Sequence, residues 1–147
     1  MPVEVHTAQF GPVSFDPRDI YTFPQGIYGF ELCRRWLLLG TAIDQPIRYL
    51  QSVERAQLAL PVVTPSQFVP EYRVRVAAEA LAPLALERDR DLAVLAVLNP
   101  QHDPTVNLKA PLLLNLCSRI GLQVIADGDW SIRHSLGIAP PARRKAA

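Results

Sequence analysis

The chain has 147 residues, of which 49% are hydrophobic and 20% are charged, and its formal net charge is +1. This composition fits one ordinary soluble domain that buries a substantial core without a disulfide or metal staple. Because the net charge is close to zero, we expect neither nucleic acid nor an acidic membrane surface as a direct partner.

Fourteen prolines recur along the chain. A proline inside a helix costs about 3 kcal/mol, so this spacing leaves little room for long helices and favours short strands joined by turns. In chain order, the predicted strands are 3–6 and 13–15 around a Gly11-Pro12 turn, then 19–23, 36–40, 47–53, 58–63, 72–76, 92–98, 105–116 with a bend at Pro111, and a last one at 122–126.

Two of these predicted strands carry clear patterns. Residues 72–76 alternate strictly, with apolar side chains on one face and Arg73 and Arg75 on the other. Residues 92–98 are apolar on both faces, which predicts a strand covered on both sides. Between them, residues 77–86 are rich in alanine and leucine and predict one or two helical turns, interrupted near Pro83. The predicted fold class is all-β: a single small β-barrel-like domain over residues 1–137, with one short helical segment.

The two ends of the sequence bear on localisation and on the tail. The opening MPVEVHTAQF mixes charged and apolar residues, which is not typical of a signal peptide, and no apolar run approaches a membrane span. We therefore expect a cytoplasmic protein, and a monomer. Residues 138–147 contain a proline pair followed by Arg143, Arg144 and Lys145, which predicts a basic, disordered tail.

Neither the cysteines nor the histidines form a pattern typical of a metal site. Cys33 and Cys117 lie beside apolar residues, far apart, and are expected to be small buried hydrophobes. His6, His102 and His134 lie in unrelated segments, whereas zinc needs three or four converging ligands. We expect no metal and no cofactor.

The residues typical of catalysis are also not arranged for it. No serine lies in a GxSxG sequence, and Asp127 and Asp129 flank Gly128 as hairpin-turn residues do. We therefore predict a protein that is not an enzyme.

The stretch 23–30, FPQGIYGF, combines a bend with large apolar side chains. It has no lysine and no following helix, which argues against a phosphate loop. Pro24 and Gly26 stand at the second and fourth places of a predicted type I turn over residues 23–26. We expect Phe23, Ile27 and Phe30 to plug a corner of the barrel, and Tyr28 to be partly exposed as a candidate contact residue.

A second stretch, PVVTPSQFVPEY at 61–72, contains three prolines and an apolar edge that includes Phe68 and Tyr72. Preorganised loops with aromatic anchors suit protein recognition because little entropy is lost on docking. The same loop could equally lie flat over the barrel, and the sequence favours neither interpretation.

Four amides interrupt otherwise apolar stretches: Gln51, Asn107, Asn115 and Gln123. A buried amide must be hydrogen-bonded, so each is predicted either to bridge backbone groups inside the fold or to face outward.

Taken in order, these motifs resemble a known family. FPQGIYGF, YLQSV at 49–53, PVVTPSQFVPEY, VNLKAPLLLN at 106–115, GLQVI at 121–125 and the closing WSIRHSL at 130–136 are similar in order and spacing to the FliW-type flagellar assembly factors. The likeness spans residues 3–137. It implies a non-catalytic, β-barrel-like protein that binds cytoplasmic flagellin before export. It also implies binding to the translational regulator CsrA, which prevents CsrA from repressing flagellin synthesis.

This sequence departs from the family pattern at one place that concerns binding. The family usually carries acidic residues after the motif tyrosine, approximately Tyr-Glu-Phe-Asp, where this chain has Tyr72-Arg73-Val74-Arg75. Two arginines would repel a basic regulator, so CsrA binding is expected to be weakened, lost or moved to another face.

The predicted protein-binding residues combine the aromatic and cationic candidates with motif residues: Tyr28, Gln51, Ser52, Phe68, Tyr72, Arg73, Arg75 and Asn107. The alternative to a flagellar factor is a small-molecule-binding β-barrel, which would need an interior cavity.

Overall fold

In a computed structural model, residues 3–40 and 46–137 are described. The β-strands are β1 (Val3–Thr7), β2 (Gly11–Phe15), β3 (Tyr21–Thr22), β4 (Arg35–Leu39), β5 (Ile47–Ser52), β6 (Ala59–Val63), β7 (Leu92–Asn99), β8 (Thr105–Val106), β9 (Leu112–Asn115), β10 (Ile120–Gln123) and β11 (His134–Ser135). The helix α1 (Ala78–Leu81) continues into a 3₁₀ turn at Ala82–Leu84, and further 3₁₀ turns lie at Pro17–Asp19, Pro65–Gln67 and Asp89–Asp91.

Seven of these strands close into a barrel. They pair in the order β7-β6-β5-β4-β3-β10-β9, and β9 pairs back with β7. All these pairings are antiparallel except the parallel contact between β10 and β3. The predicted all-β barrel with one short helix is therefore confirmed, and the helical turn stops near Pro83 as expected.

Strand β7 pairs with two strands, β9 and β8, along one of its edges. Its first half, from Leu92 to Leu95, pairs with β9, and its end pairs with β8. The chain bends between β8 and β9, so the predicted long strand at 105–116 is two short strands that meet β7 in succession. Pro111, at this bend, cannot donate a ladder hydrogen bond, which suits a break between strands.

The barrel interior is filled by side chains. Phe23, Trp36, Leu50 and Leu95 are fully buried in one apolar cluster with Leu112. The Trp36 indole N–H donates to the Cys33 carbonyl at 3.0 Å, so the largest interior side chain also has its polar atom satisfied.

The outer face of the sheet is covered by the excursion between β6 and β7. Val69 and Tyr72 pack over Val63 and Ala96, and Leu84 packs over Leu113 with its neighbours. This covering explains why β7 is apolar on both faces, as the sequence predicted.

Residues 72–76 are not a strand, which corrects the clearest strand prediction. Their burial does alternate, but they form no ladder with any strand in the described ranges. The segment instead lies on the outside of the sheet, where Val74 packs against the two outer clusters. An extended segment lying on an apolar surface buries every second side chain just as a strand does, so the alternation alone cannot separate the two.

Smaller corrections concern element ends. Gly11 and Pro12 belong to β2, and the hairpin turn is at residues 8–10. The predicted strand at 19–23 contributes only Tyr21–Thr22, because residues 17–19 form a 3₁₀ turn. The predicted last strand ends at Gln123 and is followed by β11.

Two further predictions concern the cysteines and the tail. Cys33 is buried, but Cys117 is exposed in the turn between β9 and β10, where the chain leaves the sheet. The predicted tail at 138–147 lies outside the described residues. None of the described helices is long and apolar enough to cross a membrane.

Candidate protein-binding surfaces

The bend at 23–30 combines buried and exposed side chains. Gly26 N–H donates to the Phe23 carbonyl at 2.9 Å, which closes the predicted turn. Phe23 and Ile27 are buried and Phe30 packs against the same interior cluster, so the barrel-plug prediction is confirmed. Tyr28, by contrast, is 59% exposed.

The bend is tied firmly to the barrel. The Tyr28 N–H donates to the side-chain carbonyl of Gln123 at 2.7 Å, and the Gln123 amide donates onward to the Ala110 carbonyl at 3.0 Å. A Cβ on Gly26 would lie 2.6 Å from the backbone of Glu31, so the loop closes tightly on itself. The exposed Tyr28 ring is therefore carried by an anchored backbone.

Leu32 is a second exposed apolar side chain close to this bend in the sequence, and the sequence analysis missed it. It is 88% exposed, four residues beyond Tyr28. Ile125, two residues beyond Gln123, is 51% exposed. We call Tyr28 and Leu32 the apolar bend. A large exposed apolar side chain on a soluble protein is a candidate contact for a partner when several lie near one another.

Tyr72 is an anchor of the second surface and not an exposed contact. It is only 4% exposed, its ring lies edge-on to Trp130 with centroids 4.7 Å apart, and its hydroxyl donates to the Leu108 carbonyl at 2.6 Å. Burial raises the pKa of Tyr72 to about 12. Phe68 is half-buried against the same cluster, so only part of its ring faces outward.

Arg73 and Arg75 are the exposed cationic side chains of the segment at 72–76. Both are exposed, while Val74 between them packs inward. The Arg73 guanidinium donates to the carbonyls of Pro70 and Tyr72, at 3.1 and 2.8 Å, which orients it along its own loop. Arg73 and Arg75 are thus exposed as predicted, although their backbone is not a strand.

Gln51 and Ser52 are buried and serve the turn that follows β5. The Gln51 amide nitrogen donates to the carbonyls of Ser52, Arg55 and Ala56. The Ser52 hydroxyl accepts from the backbone N–H groups of residues 54 and 55. These bonds account for both residues as turn builders, and neither presents a side chain to a partner.

Asn107 has a similar local role. Its side-chain carbonyl accepts from the N–H groups of Lys109 and Ala110, at 3.1 and 3.0 Å, and so holds the bend between β8 and β9. The eight predicted contact residues therefore divide by position: Tyr28, Arg73, Arg75 and part of Phe68 face outward, whereas Gln51, Ser52, Tyr72 and the half-buried Asn107 support the fold.

A groove lies between β7 and the loop that covers it. It is lined by residues 64–66, 72–74 and 92–94 and by Arg48, and it has a volume of about 400 Å³. We call it the arginine groove, since its two charged lining side chains are Arg48 and Arg73. Arg48 was not singled out by the sequence analysis, because only the folded chain brings β5 next to residues 72–74.

The described residues offer little to a metal ion or an enclosed ligand. No group of three His, Cys, Asp or Glu side chains within 3–40 and 46–137 is placed to hold a metal. The filled interior also argues against the alternative of a small-molecule-binding barrel.

Comparisons with known proteins identify the family. Residues 4–136 match the family model described as FliW protein. The chain is 32% identical over 139 residues to the flagellar assembly factor FliW of Natranaerobius thermophilus, covering 91% of this chain and 92% of the relative. It is 32% identical over 141 residues to the factor of the same name from Leptospira biflexa, covering 92% of each. A crystal structure of the flagellar assembly factor FliW superposes with a TM-score of 0.84 at 29% identity, covering 91% of this chain and 96% of that one. The chain belongs to the FliW family of flagellar assembly factors.

Proposed function

We propose that this protein binds cytoplasmic flagellin through its exterior, without catalysis, and so couples flagellin synthesis to export. The observation that carries the proposal is the contrast between the interior of the barrel and its exterior. The interior is filled by side chains, while two anchored regions of the exterior, the apolar bend and the segment at 72–76, present exposed apolar and cationic side chains.

Both regions are suited to binding because their backbones are already held. Tyr28 is tied through Gln123, and Arg73 follows the buried Tyr72. A preorganised surface loses little conformational entropy when a partner docks, and aromatic and arginine side chains are common binding hot spots.

We further propose that CsrA, the second partner implied by the family resemblance, binds this protein weakly. Arg73 and Arg75 are exposed where the family usually carries acidic side chains. Juxtaposed like charges slow the encounter and disfavour a basic partner.

Isothermal titration of the purified protein with monomeric flagellin, and separately with CsrA, tests both proposals. We expect binding to flagellin with a dissociation constant in the micromolar range or below, and CsrA binding at least about tenfold weaker. The variants Tyr28→Ala and Leu32→Ser should each weaken flagellin binding without changing the midpoint of urea unfolding.

A matched control is Val3→Ala, which shortens an exposed apolar side chain on the separate β1–β2 hairpin. It should leave flagellin binding unchanged. Flagellin that shows no heat of binding and no co-elution with the protein would contradict the proposed function.

A further inference from the structure

The arginine groove exposes one edge of β7. Strand β6 pairs with β7 only at Val62–Val97 and Val63–Ala96, and then turns away into the 3₁₀ turn at Pro65–Gln67. Residues 92–94, which pair with β9 on their other edge, therefore have no strand beside them on the β6 side within the described ranges.

The register shows which backbone groups face this gap. Leu116 N–H donates to the Asp91 carbonyl, and Asn107 N–H donates to the Val97 carbonyl, so the odd-numbered residues of this stretch direct their backbone groups toward β8 and β9. Successive residues of a strand direct these groups to opposite edges. The N–H and C=O of Val94 therefore point into the arginine groove, where a continued β6 would have met them.

The walls of the groove suit an extended chain. Val74 and Leu92 supply apolar surface, and Thr64 and Ser66 supply short polar side chains. An unpaired strand edge beside a groove is a template for strand addition, in which main-chain hydrogen bonds provide affinity and the groove walls select side chains.

The charged side chains of the arginine groove determine which kind of peptide it would bind. Both charged side chains that line the groove are arginines, and neither makes an ion pair with a carboxylate among the described residues. An incoming strand with carboxylate side chains would supply the missing partners, whereas a basic strand would be repelled. The chain's own segment 138–147 carries Arg143, Arg144 and Lys145 and is therefore a poor occupant.

We propose that the arginine groove binds an extended, acidic segment of a partner protein as an added strand along residues 92–94 of β7. The inference rests on the proposed function only in taking that partner to be flagellin. Its test uses synthetic peptides, so its failure is distinguishable from a failure of flagellin binding.

The test is amide hydrogen exchange followed by NMR, with an acetylated and amidated peptide of about eight residues in which Glu and Val alternate, a length ordinary for a strand. In the free protein, the Val94 amide should exchange much faster than the amides of Ala93 and Leu95, which face β9. Saturating peptide should slow exchange at Val94 at least about tenfold and leave Ala93 and Leu95 unchanged.

Two variants separate the backbone and charge contributions. Val94→Pro removes the N–H that faces the groove, which an edge position tolerates, and should abolish binding of the Glu–Val peptide. Arg48→Glu combined with Arg73→Glu should reverse the preference toward a Lys–Val peptide of the same length. Arg133→Glu, which changes an exposed arginine near β11, is the matched control and should keep the original preference.

Several results would overturn the inference. One is an unchanged Val94 exchange rate at peptide concentrations up to the millimolar range. Another is equal binding of the Glu–Val and Lys–Val peptides to the unmodified protein, since charge would then select nothing. If Val94→Pro fails to fold, the exchange measurement on the unmodified protein decides the question by itself.

Discussion

The hydroxyl of Tyr72 donates a 2.6 Å hydrogen bond to the carbonyl of Leu108, thirty-six residues further along the chain. This bond joins the loop that covers the sheet to the bend between β8 and β9. Trp130 packs edge-on against the same ring, so three separate segments meet at one aromatic side chain. The position of Arg73, and with it one wall of the arginine groove, depends on this junction.

Replacing Tyr72 by Phe tests the junction. The ring and its packing are kept, but the buried Leu108 carbonyl loses its donor, so we expect a loss of about 1 kcal/mol in the free energy of unfolding. Urea unfolding at neutral pH measures it. A variant as stable as the unmodified protein would show that the bond adds nothing.

The same residue predicts a pH dependence at alkaline pH. Burial raises the Tyr72 pKa from 10.0 to about 12, which means that the fold favours the neutral phenol. This contribution is fully present below pH 10 and is lost as the pH rises from 10 toward 12. Unfolding curves across that range should fall more steeply for the unmodified protein than for Tyr72→Phe. Parallel curves would contradict the assignment.

The close packing of the Phe23 ring requires a glycine at position 121. A Cβ at this position would lie 2.3 Å from the Phe23 ring, so Gly121→Ala forces the Phe23 side chain or β10 to move. Overpacking of this kind costs about 1–3 kcal/mol. Combining it with Phe23→Leu, which shortens the opposing side chain, should lose less stability than the sum of the two single variants. A double-variant cycle measured by urea unfolding decides between coupling and simple additivity.

Asn115 is the buried amide that ties the helical turn to the barrel. Its side-chain nitrogen donates to the carbonyls of Leu84 and Ala85, and its oxygen accepts from the N–H groups of Cys117 and Ser118. Asn115→Asp places a carboxylate oxygen against two carbonyls and should cost more than about 2 kcal/mol at pH 7.

Acid should partly reverse that loss, because the carboxyl group introduced by Asn115→Asp regains one donor when it is protonated. Urea unfolding at pH 7 and pH 4 measures this. The exposed Asn99→Asp change is the matched control and should alter stability by less than about 0.5 kcal/mol. Equal losses at both sites would show that the Asn115 bonds are unimportant.

Charge reversal on the exterior should change partner choice. Arg73→Glu with Arg75→Asp restores the acidic pattern usual in the family and should strengthen CsrA binding at least about tenfold at low salt. The gain should shrink as salt screens the charges. Both side chains are exposed, so the stability should change by less than about 0.5 kcal/mol. Tight CsrA binding by the unmodified protein that this double variant leaves unaffected would refute the proposal.

Local turn chemistry made the bend at 23–30 predictable. Pro24 and Gly26 define the turn by their backbone preferences, and the large apolar residues around them could hardly face water. The burial of Phe23 and Ile27 and the exposure of Tyr28 follow from those two rules.

The contact residues were harder to predict from the sequence. A polar motif residue that stabilises a turn is of the same type as one that binds a partner protein. Gln51 and Ser52 satisfy the turn after β5, and Asn107 holds the bend after β8. A single sequence shows that a polar side chain interrupts a strand, but not which backbone groups lie within its reach.

The amino-acid sequence by itself determined the turns, the apolar strands and the short helical interruption, because these depend on the preferences of neighbouring residues. Only the tertiary structure decided that residues 72–76 lie on the sheet instead of joining it. It also decided that β6 ends opposite Ala96 and leaves residues 92–94 of β7 without a strand on that side in the described part of the chain. Both depend on which backbone groups of distant segments meet. The open edge of β7 and the placement of Arg48 and Arg73 in one groove therefore exist only in the folded chain.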